Sequence, residues 1–570
     1  MFDNPFIHEA ATNIDDTLLY KMFIDNEHSR IFKSHKNVFI LGYRGSGKSM
    51  LMRYHSFPIQ IKHNYEEVKN YSEIGIYVSC MTPIFQRLDF GLNDDSFQIS
   101  IMSEHILVLT MAERLLNTFL QLENSPFSSS DLQGIKEEIE FYFDAQLTEE
   151  NVLKDFHKWI RKNLVNTQRH LDRSPEQFIS SAYTYSSLIK PLIEVFKEVP
   201  ILKHTHFMFM IDDGQMLSTS QQLSVNNWIS YRDTSDVSFK VAITSTNEYS
   251  FLTSRNNVIL ENHDYIMLDL ERDFFSGKSD FVQFAKKIIE RRLRVFGLTQ
   301  VDAYDFFPID SGFQVELESI KEKFIGGHYP EREQWTQEQR QANASKFIRA
   351  IYFRLYSEQH KANKPRLAYT GFDVLTNIST GVIRNLLVPC SVMYEKEKEN
   401  QQAVQYISPK TQYETLLEES SKTWDKINEL SVKIVDCTNE HTVRLQRVLE
   451  SFGEYLKIKL LDPSGTEKKI LSFTIHDLDK SPYCDEIKEV LQIGIRGGLI
   501  YTRIGPDHEG GRTMWYTPNR ILWPSLALDP VGQNGRKNFV AATFYKMMTD
   551  ASYSHKENGQ KKYVQGEFDL

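Results

Sequence analysis

Gly42-Tyr43-Arg44-Gly45-Ser46-Gly47-Lys48-Ser49, running on into Met50, has the residue types and spacing of a phosphate cradle. Glycines let backbone N–H groups curl around an anion, and a helix starting at the end of the loop adds partial positive charge directed at the same place. Lys48 then reaches the β- and γ-phosphates of a nucleotide, read as ATP, and the Ser49 hydroxyl faces Mg²⁺, a hard cation that prefers oxygen ligands. The match to G-x-x-x-x-G-K-[ST] is complete.

Such a loop needs an acidic strand end to complete the metal site. Phe207-Met208-Phe209-Met210-Ile211-Asp212-Asp213 supplies five apolar residues and then two carboxylates, the pattern of a strand buried on both faces. Asp212 is placed beside Mg²⁺ and Asp213 in the slot of a water-activating carboxylate. An Asp is one methylene shorter than a Glu, so the water is held less closely and turnover is expected to be slow. Asp213 also suits a solvated loop start or a helix cap.

The elements that position these groups follow from apolar patterning. Asn37–Leu41 reads as the strand before the loop, Ile74–Ser79 as a second strand, and Phe239–Asn247 as a buried strand ending in polar groups. Tyr265–Leu270 reads as the last core strand, and apolar positions Phe281, Phe284, Ile288, Ile289, Leu293 and Phe296 open a mostly helical region.

In the order of these motifs the chain resembles the AAA ATPases, in particular their initiator branch related to origin-recognition proteins and to the signal-transducing (STAND) ATPases. The fold implied is α/β: a P-loop AAA-type core with a parallel sheet over residues 1–270, a helical lid over 271–405, and a C-terminal α+β winged-helix-like domain over 406–570. By that resemblance Asn247, with Thr244 to Thr246 as alternatives, senses the γ-phosphate. Arg255 resembles the arginine inserted into a neighbouring subunit's ATP site, in competition with Arg272, Arg291 and Arg292. Ser379–Leu387 resembles the second sensor, with Arg384 facing phosphate, and Asn4-Pro5-Phe6 resembles the segment that packs on adenine, or is a turn.

The stretch between Lys48 and Asp212 is far longer than one strand and one helix require, so an insertion is expected at about 90–195. Ile106–Leu122, Leu132–Phe143 and Val152–Leu164 read as amphipathic helices within it, and Lys154, His157, Lys158, Arg161 and Lys162 form a basic face. Partner specificity and a plain helical buttress are both open.

In the C-terminal region Leu445, Val448, Leu449, Phe452 and Leu456 share one helix face, and Ser472–Leu478 with Ile487–Leu491 read as further helix. Leu499–Arg503 and Thr513–Thr517 read as two strands around a glycine-rich turn holding His508. Helices followed by a hairpin suggest a winged helix, in which Arg503, Arg512 and Arg520 are wing-side phosphate contacts on duplex DNA. Asp485, Glu486 and Glu489 on the expected recognition helix favour protein docking instead, and Trp515, Tyr516 and Trp523 read as core.

A net charge of −10 excludes whole-molecule attraction to nucleic acid. No apolar run approaches the roughly 18 to 20 residues a membrane helix needs, and the start lacks a secretory pattern. Cys80, Cys390, Cys437 and Cys484 have no paired spacing and read as buried thiols in a reducing cytoplasm. The resemblance implies an ATPase, ATP/ADP- and Mg²⁺-dependent, whose nucleotide state controls homo- or hetero-oligomer assembly and engagement of DNA or an effector protein, in a mobile-element or antiphage setting. Its alternative is a signalling scaffold with little turnover that recruits a separate nuclease or toxin.

Overall fold

The computed structural model describes residues 4–8, 10–11, 14–25, 27–81, 96–173, 182–231, 235–270, 280–330, 332–359, 366–401, 403–434, 436–462, 470–506, 511–531 and 535–555. The chain forms two compact units, Ala10–Glu271 and Met1–Glu9 together with Arg272–Leu570. Residues 272–405 and 406–570, expected as two domains, fall in one compact unit together with the first residues.

Ala10–Glu271 is built on five parallel strands in the order β2-β3-β4-β1-β5. These are β1 (Val38–Leu41), β2 (Glu73–Ser79), β3 (His206–Asp212), β4 (Val237–Ile243) and β5 (Ile266–Asp269). β3 is buried along its whole length, as its unbroken apolar run requires for a strand covered on both faces. Helix α1 (Lys48–Tyr54) follows β1 directly.

Between β2 and β3 lie α2 (Ser96–Leu120), α3 (Ser129–Tyr142), α4 (Val152–Arg173) and α5 (Lys190–Lys197). α2 starts well before Ile106, and α4 runs well past Leu164. Ile106, Leu109, Phe156 and Phe196 share one apolar core with Phe209 and Phe239 of the sheet, so the inner faces of the insertion buttress it. Outward, Lys154, Lys158, Arg161 and Lys162 are exposed, whereas His157 is half-buried 3.1 Å from Glu113. After β3 comes α6 (Thr219–Ser230), capped by Ser218 and Gln221.

In the other unit, α7 (Asp280–Val295), α10 (Phe372–Ile378) and α11 (Ile383–Asn400) fall within the residues expected as lid, with a long helical pair, α8 (Ser311–Ile325) and α9 (Gln337–Gln359), between them in sequence. Phe6 is fully buried against Phe306, Phe307 and Tyr394. Asn4 Nδ2 donates to Ser391 O (3.0 Å) and Glu395 Oε1 (2.7 Å). The Phe6 ring is thus enclosed by side chains of its own unit and is not offered to an adenine.

α12 (Pro409–Asn428), α13 (Asn439–Leu461) and α14 (Cys484–Arg496) accompany a second sheet of order β7-β8-β6-β9. Its strands are β6 (Ile470–His476), β7 (Ile500–Pro506), β8 (Arg512–Pro518) and β9 (Gly535–Val540), followed by α15 (Ala541–Thr549). Ser472–Leu478, expected as helix, is mostly strand β6. The physical reason is an alternating Leu471, Phe473, Ile475 set that joins the core at period two, which a helix cannot present on one face. β7 and β8 pair antiparallel with Arg503 opposite Trp515, as a hairpin requires. β9, parallel to β6, was not foreseen.

Candidate nucleotide site

The loop after β1 is held in shape by positions only glycine tolerates. Gly45 and Gly47 have φ of 90° and 103°, left-handed values that a side chain disfavours. A Cβ on Gly42 would sit 2.5 Å from Ser46 Oγ. The Ser46 N–H donates to Tyr43 O (3.1 Å), and the Gly42 N–H donates to Ile243 O (3.3 Å), tying the loop to the end of β4. Lys48 is 5% exposed, and its Nζ donates to Gly42 O and to Tyr43 O (3.0 Å). Ser49 and Met50 are half-buried, while Arg44 is exposed at the loop tip.

Asp212, at the carboxyl end of β3, is buried to 1% exposure. Its carboxylate accepts hydrogen bonds from Tyr77 Oη (2.8 Å) and the Asp213 N–H (3.0 Å), with the Ser49 hydroxyl beside it. Burial, and then the charge of Asp213, push its pKa up, while the Ser49 and Tyr77 hydroxyls and Lys48 oppose the shift. Burial and the same carboxylate push the Tyr77 hydroxyl up, so Tyr77 stays a donor. Ser49 and Asp212 bring two oxygens together beside Lys48, a donor set that fits Mg²⁺, which takes few protein ligands and fills its shell with phosphate and water. Among the described residues no cluster of three His, Cys, Asp or Glu forms a self-sufficient metal cage.

Asp213 is left-handed, with φ 57° and ψ 45°, and its Oδ1 accepts from Gln215 Nε2 at 3.1 Å. The chain turns here to lay Gly214 against β4, where a Cβ would come within 2.7 Å of Val241 Cγ1. Sequence reasoning missed both Tyr77 and Gln215. The signal for Tyr77 was a polar group inside an otherwise apolar run on the strand next to the acidic one.

β4 ends at Ile243; Asn247 is exposed beyond it, and Thr244 Oγ1 donates to Glu248. Arg255 is exposed between β4 and β5, and Arg272 lies outside the described residues. Arg292 is removed as a competitor for the trans arginine, because its buried guanidinium donates to Pro5 O (3.1 Å) and His8 O (2.7 Å). Arg384, on the first turn of α11, belongs to the unit that holds Arg272–Leu570, and its Nε is buried with no hydrogen-bond partner among the described residues.

In the C-terminal domain Arg512 is exposed on β8, and Arg503 lies over the Trp515 ring at 4.2 Å. Arg536 of β9 lies over the same ring at 4.7 Å, a cation–π arrangement that the sequence did not reveal. Trp515 is therefore half-exposed beneath two guanidiniums, whereas Tyr516 and Trp523 are core. Arg520 is corrected: it is buried, with Nη1 donating to Asn377 Oδ1 (3.0 Å) and Pro530 O (3.4 Å), and reaches no surface phosphate. His508 lies outside the described residues. On α14, Asp485 and Glu489 are exposed, and Glu486 accepts from Arg444 at 2.7 Å. Cys80, Cys390 and Cys437 are buried, but Cys484 is only half so, beside Asp479 and Lys488.

A parallel sheet of this order, with a phosphate loop on β1 and an acidic end on β3, defines a P-loop nucleotide-binding core of the AAA class. The chain matches the ORC-CDC6-like family over residues 4–539 and belongs to it. Among solved structures it is similar to the Aeropyrum pernix ORC1 protein in complex with DNA, at 10% identity and a TM-score of 0.28, over 88% of this chain and 90% of that one. It is also similar to Cdc6p from Pyrobaculum aerophilum, at 10% identity and a TM-score of 0.25, over 90% of this chain and 97% of that one. No curated protein matches the sequence.

Proposed function

We propose that this chain is an initiator-like ATPase whose nucleotide state controls its assembly and its engagement of duplex DNA. The observation that carries the reading is the meeting of Lys48, Ser49 and Asp212 beside a glycine-formed phosphate loop. In it the loop from Gly42 to Met50 holds the phosphates of ATP, and Lys48 neutralises the β- and γ-phosphates. Ser49 and Asp212 hold Mg²⁺, which supplies charge neutralisation at the transferring phosphate. Asp213 orients the attacking water, and the Gln215 amide on its carboxylate supports slow turnover. Asn247 and Arg255 act as γ-phosphate sensor and trans arginine, Arg384 as the lid's phosphate contact, and the backbone of Asn4 and Pro5 borders the adenine.

DNA engagement rests on Arg503 and Arg512, joined by Arg536, rather than on α14, whose exposed Asp485 and Glu489 repel phosphate. Since the whole chain carries −10, this contact is local and salt-sensitive. The acidic α14 favours one further role, docking of an effector protein on that helix, which is the scaffold alternative.

The test is ATP binding and turnover by wild type, Lys48→Ala and Asp213→Asn, with and without duplex DNA. Lys48→Ala is expected to abolish both, and Asp213→Asn to keep binding and lower turnover by at least about tenfold, on the order of the loss of one catalytic group. Unchanged binding in Lys48→Ala would overturn the nucleotide reading. Tight ATP binding without any DNA response favours the scaffold.

A further inference from the structure

The turn that precedes Arg384 is tightly built. Thr380 and Gly381 take consecutive left-handed conformations, with φ of 55° and 77°, and Thr380 does so without being glycine. Such a conformation persists only where its surroundings fix it. Those surroundings come from the C-terminal domain: the Arg520 N–H donates to Thr380 Oγ1 at 2.9 Å, and the Arg520 guanidinium returns to Asn377. Ser379 and Thr380 are both fully buried.

The residue after Arg384 makes the closest link. Asn385 Nδ2 donates to Ser379 O (3.2 Å) and to Tyr501 Oη (2.7 Å), and Asn519 Nδ2 donates to the same Tyr501 oxygen at 3.3 Å. Tyr501 and Asn519 are 5% and 6% exposed, so breaking these bonds strands buried polar groups. Tyr501 lies two residues before Arg503 on β7, and side chains two apart in a strand share one face. On that face Arg503 lies over Trp515.

α11 also lacks one of its own hydrogen bonds just after this contact. Pro389 sits inside the helix and has no N–H for the carbonyl four residues back, which is that of Asn385. The first turn of α11, with Arg384 and Asn385, is thus set between a left-handed turn on one side and a missing helical hydrogen bond on the other.

We infer that Asn385 and Tyr501 are positioning residues that tie Arg384 to strand β7, so that nucleotide at Arg384 and DNA at the β7–β8 hairpin change each other's affinity through this buried contact. The inference rests on the proposed roles of Arg384 and of the hairpin. Linkage requires the effect to be reciprocal: ATP alters DNA affinity by the factor by which DNA alters ATP affinity.

The experiment measures affinity for one mixed-sequence duplex at fixed salt with ATPγS or ADP present, and affinity for ATPγS without DNA, in the full chain. In wild type the two nucleotides are expected to give DNA affinities differing by about 5-fold or more, the range of ordinary coupling. Tyr501→Phe is expected to bring that ratio to within about twofold of one while leaving ATPγS affinity, DNA-free turnover and ADP-state DNA affinity near wild type, because only the coupling term is removed. Asn385→Ala, which removes the other partner, is expected to do the same and serves if Tyr501→Phe does not fold. Wild-type coupling retained in both variants overturns the inference, as does a wild-type ratio of one. If Arg384→Ala leaves ATPγS affinity intact while Tyr501→Phe still uncouples, the junction stands and the assignment of Arg384 falls.

Discussion

Asp212 is pulled two ways: burial favours its protonated form, and Ser49, Tyr77 and Lys48 favour the charged one. Removing the Tyr77 hydroxyl in Tyr77→Phe deletes one charge-assisted hydrogen bond, worth about 1.5–3 kcal/mol. Mg²⁺-dependent ATP binding is expected to weaken by roughly tenfold or more at pH 7, since 1.4 kcal/mol is a factor of ten; a titration of Mg²⁺ against fixed nucleotide reads it. Gly214→Ala is expected to destabilise the core by about 1–3 kcal/mol through overpacking against Val241, visible as a lowered melting temperature with the phosphate loop intact. The phosphate loop was legible in the sequence because its glycines and its Lys-Ser pair are local requirements. The left-handed turn at Asp213 was not, because its cause is the approach of Gly214 to β4, which no neighbouring residue announces.

At the scale of elements, the α8–α9 pair is fastened to the C-terminal domain by Arg349, whose guanidinium donates to Asp529 at 2.7 and 2.9 Å. The Asp529 side chain is only 1% exposed and also accepts from the Val531 N–H (3.1 Å), so Arg349→Ala leaves a buried carboxylate without its counter-charge. The expected cost is about 3–5 kcal/mol, with a partial recovery on pairing it with Asp529→Leu; chemical denaturation of both variants reads the difference. The five core strands were legible as apolar runs of strand length. β6 was misread as helix because Ser472 and Thr474 alternate with apolar residues over too short a stretch to separate the two periods. The burial of Arg520 escaped because its partner Asn377 is more than a hundred positions away, and an arginine between a hairpin and a helix looks exposed until that partner is seen.

At the scale of the whole molecule, the unit Ala10–Glu271 carries buried histidines held neutral. Burial lowers the pKa of His105 and His206 to about 4 and of His55 to about 3, from 6.5. Between those values the unfolded chain binds more protons than the folded one, so stability is full above about pH 6.5 and falls as pH drops toward 4. Melting temperature is expected to decline through that window, and less steeply in His105→Gln. A profile flat from pH 7 to 4.5 would show that these rings are not buried neutral. The place of the first residues was not legible: nothing in Asn4-Pro5-Phe6 announced partners around residue 391.

That last pairing sets a schedule for the ribosome. Asn4 bonds to Ser391 across a sequence separation of 387 residues, whereas the compact unit Ala10–Glu271 is complete in sequence by residue 271. At about 5–20 residues per second, Asn4 waits roughly 20–80 s for its partner. The nucleotide core can fold in that interval, so residues 4–8 dock only after the unit that follows them in sequence has been made.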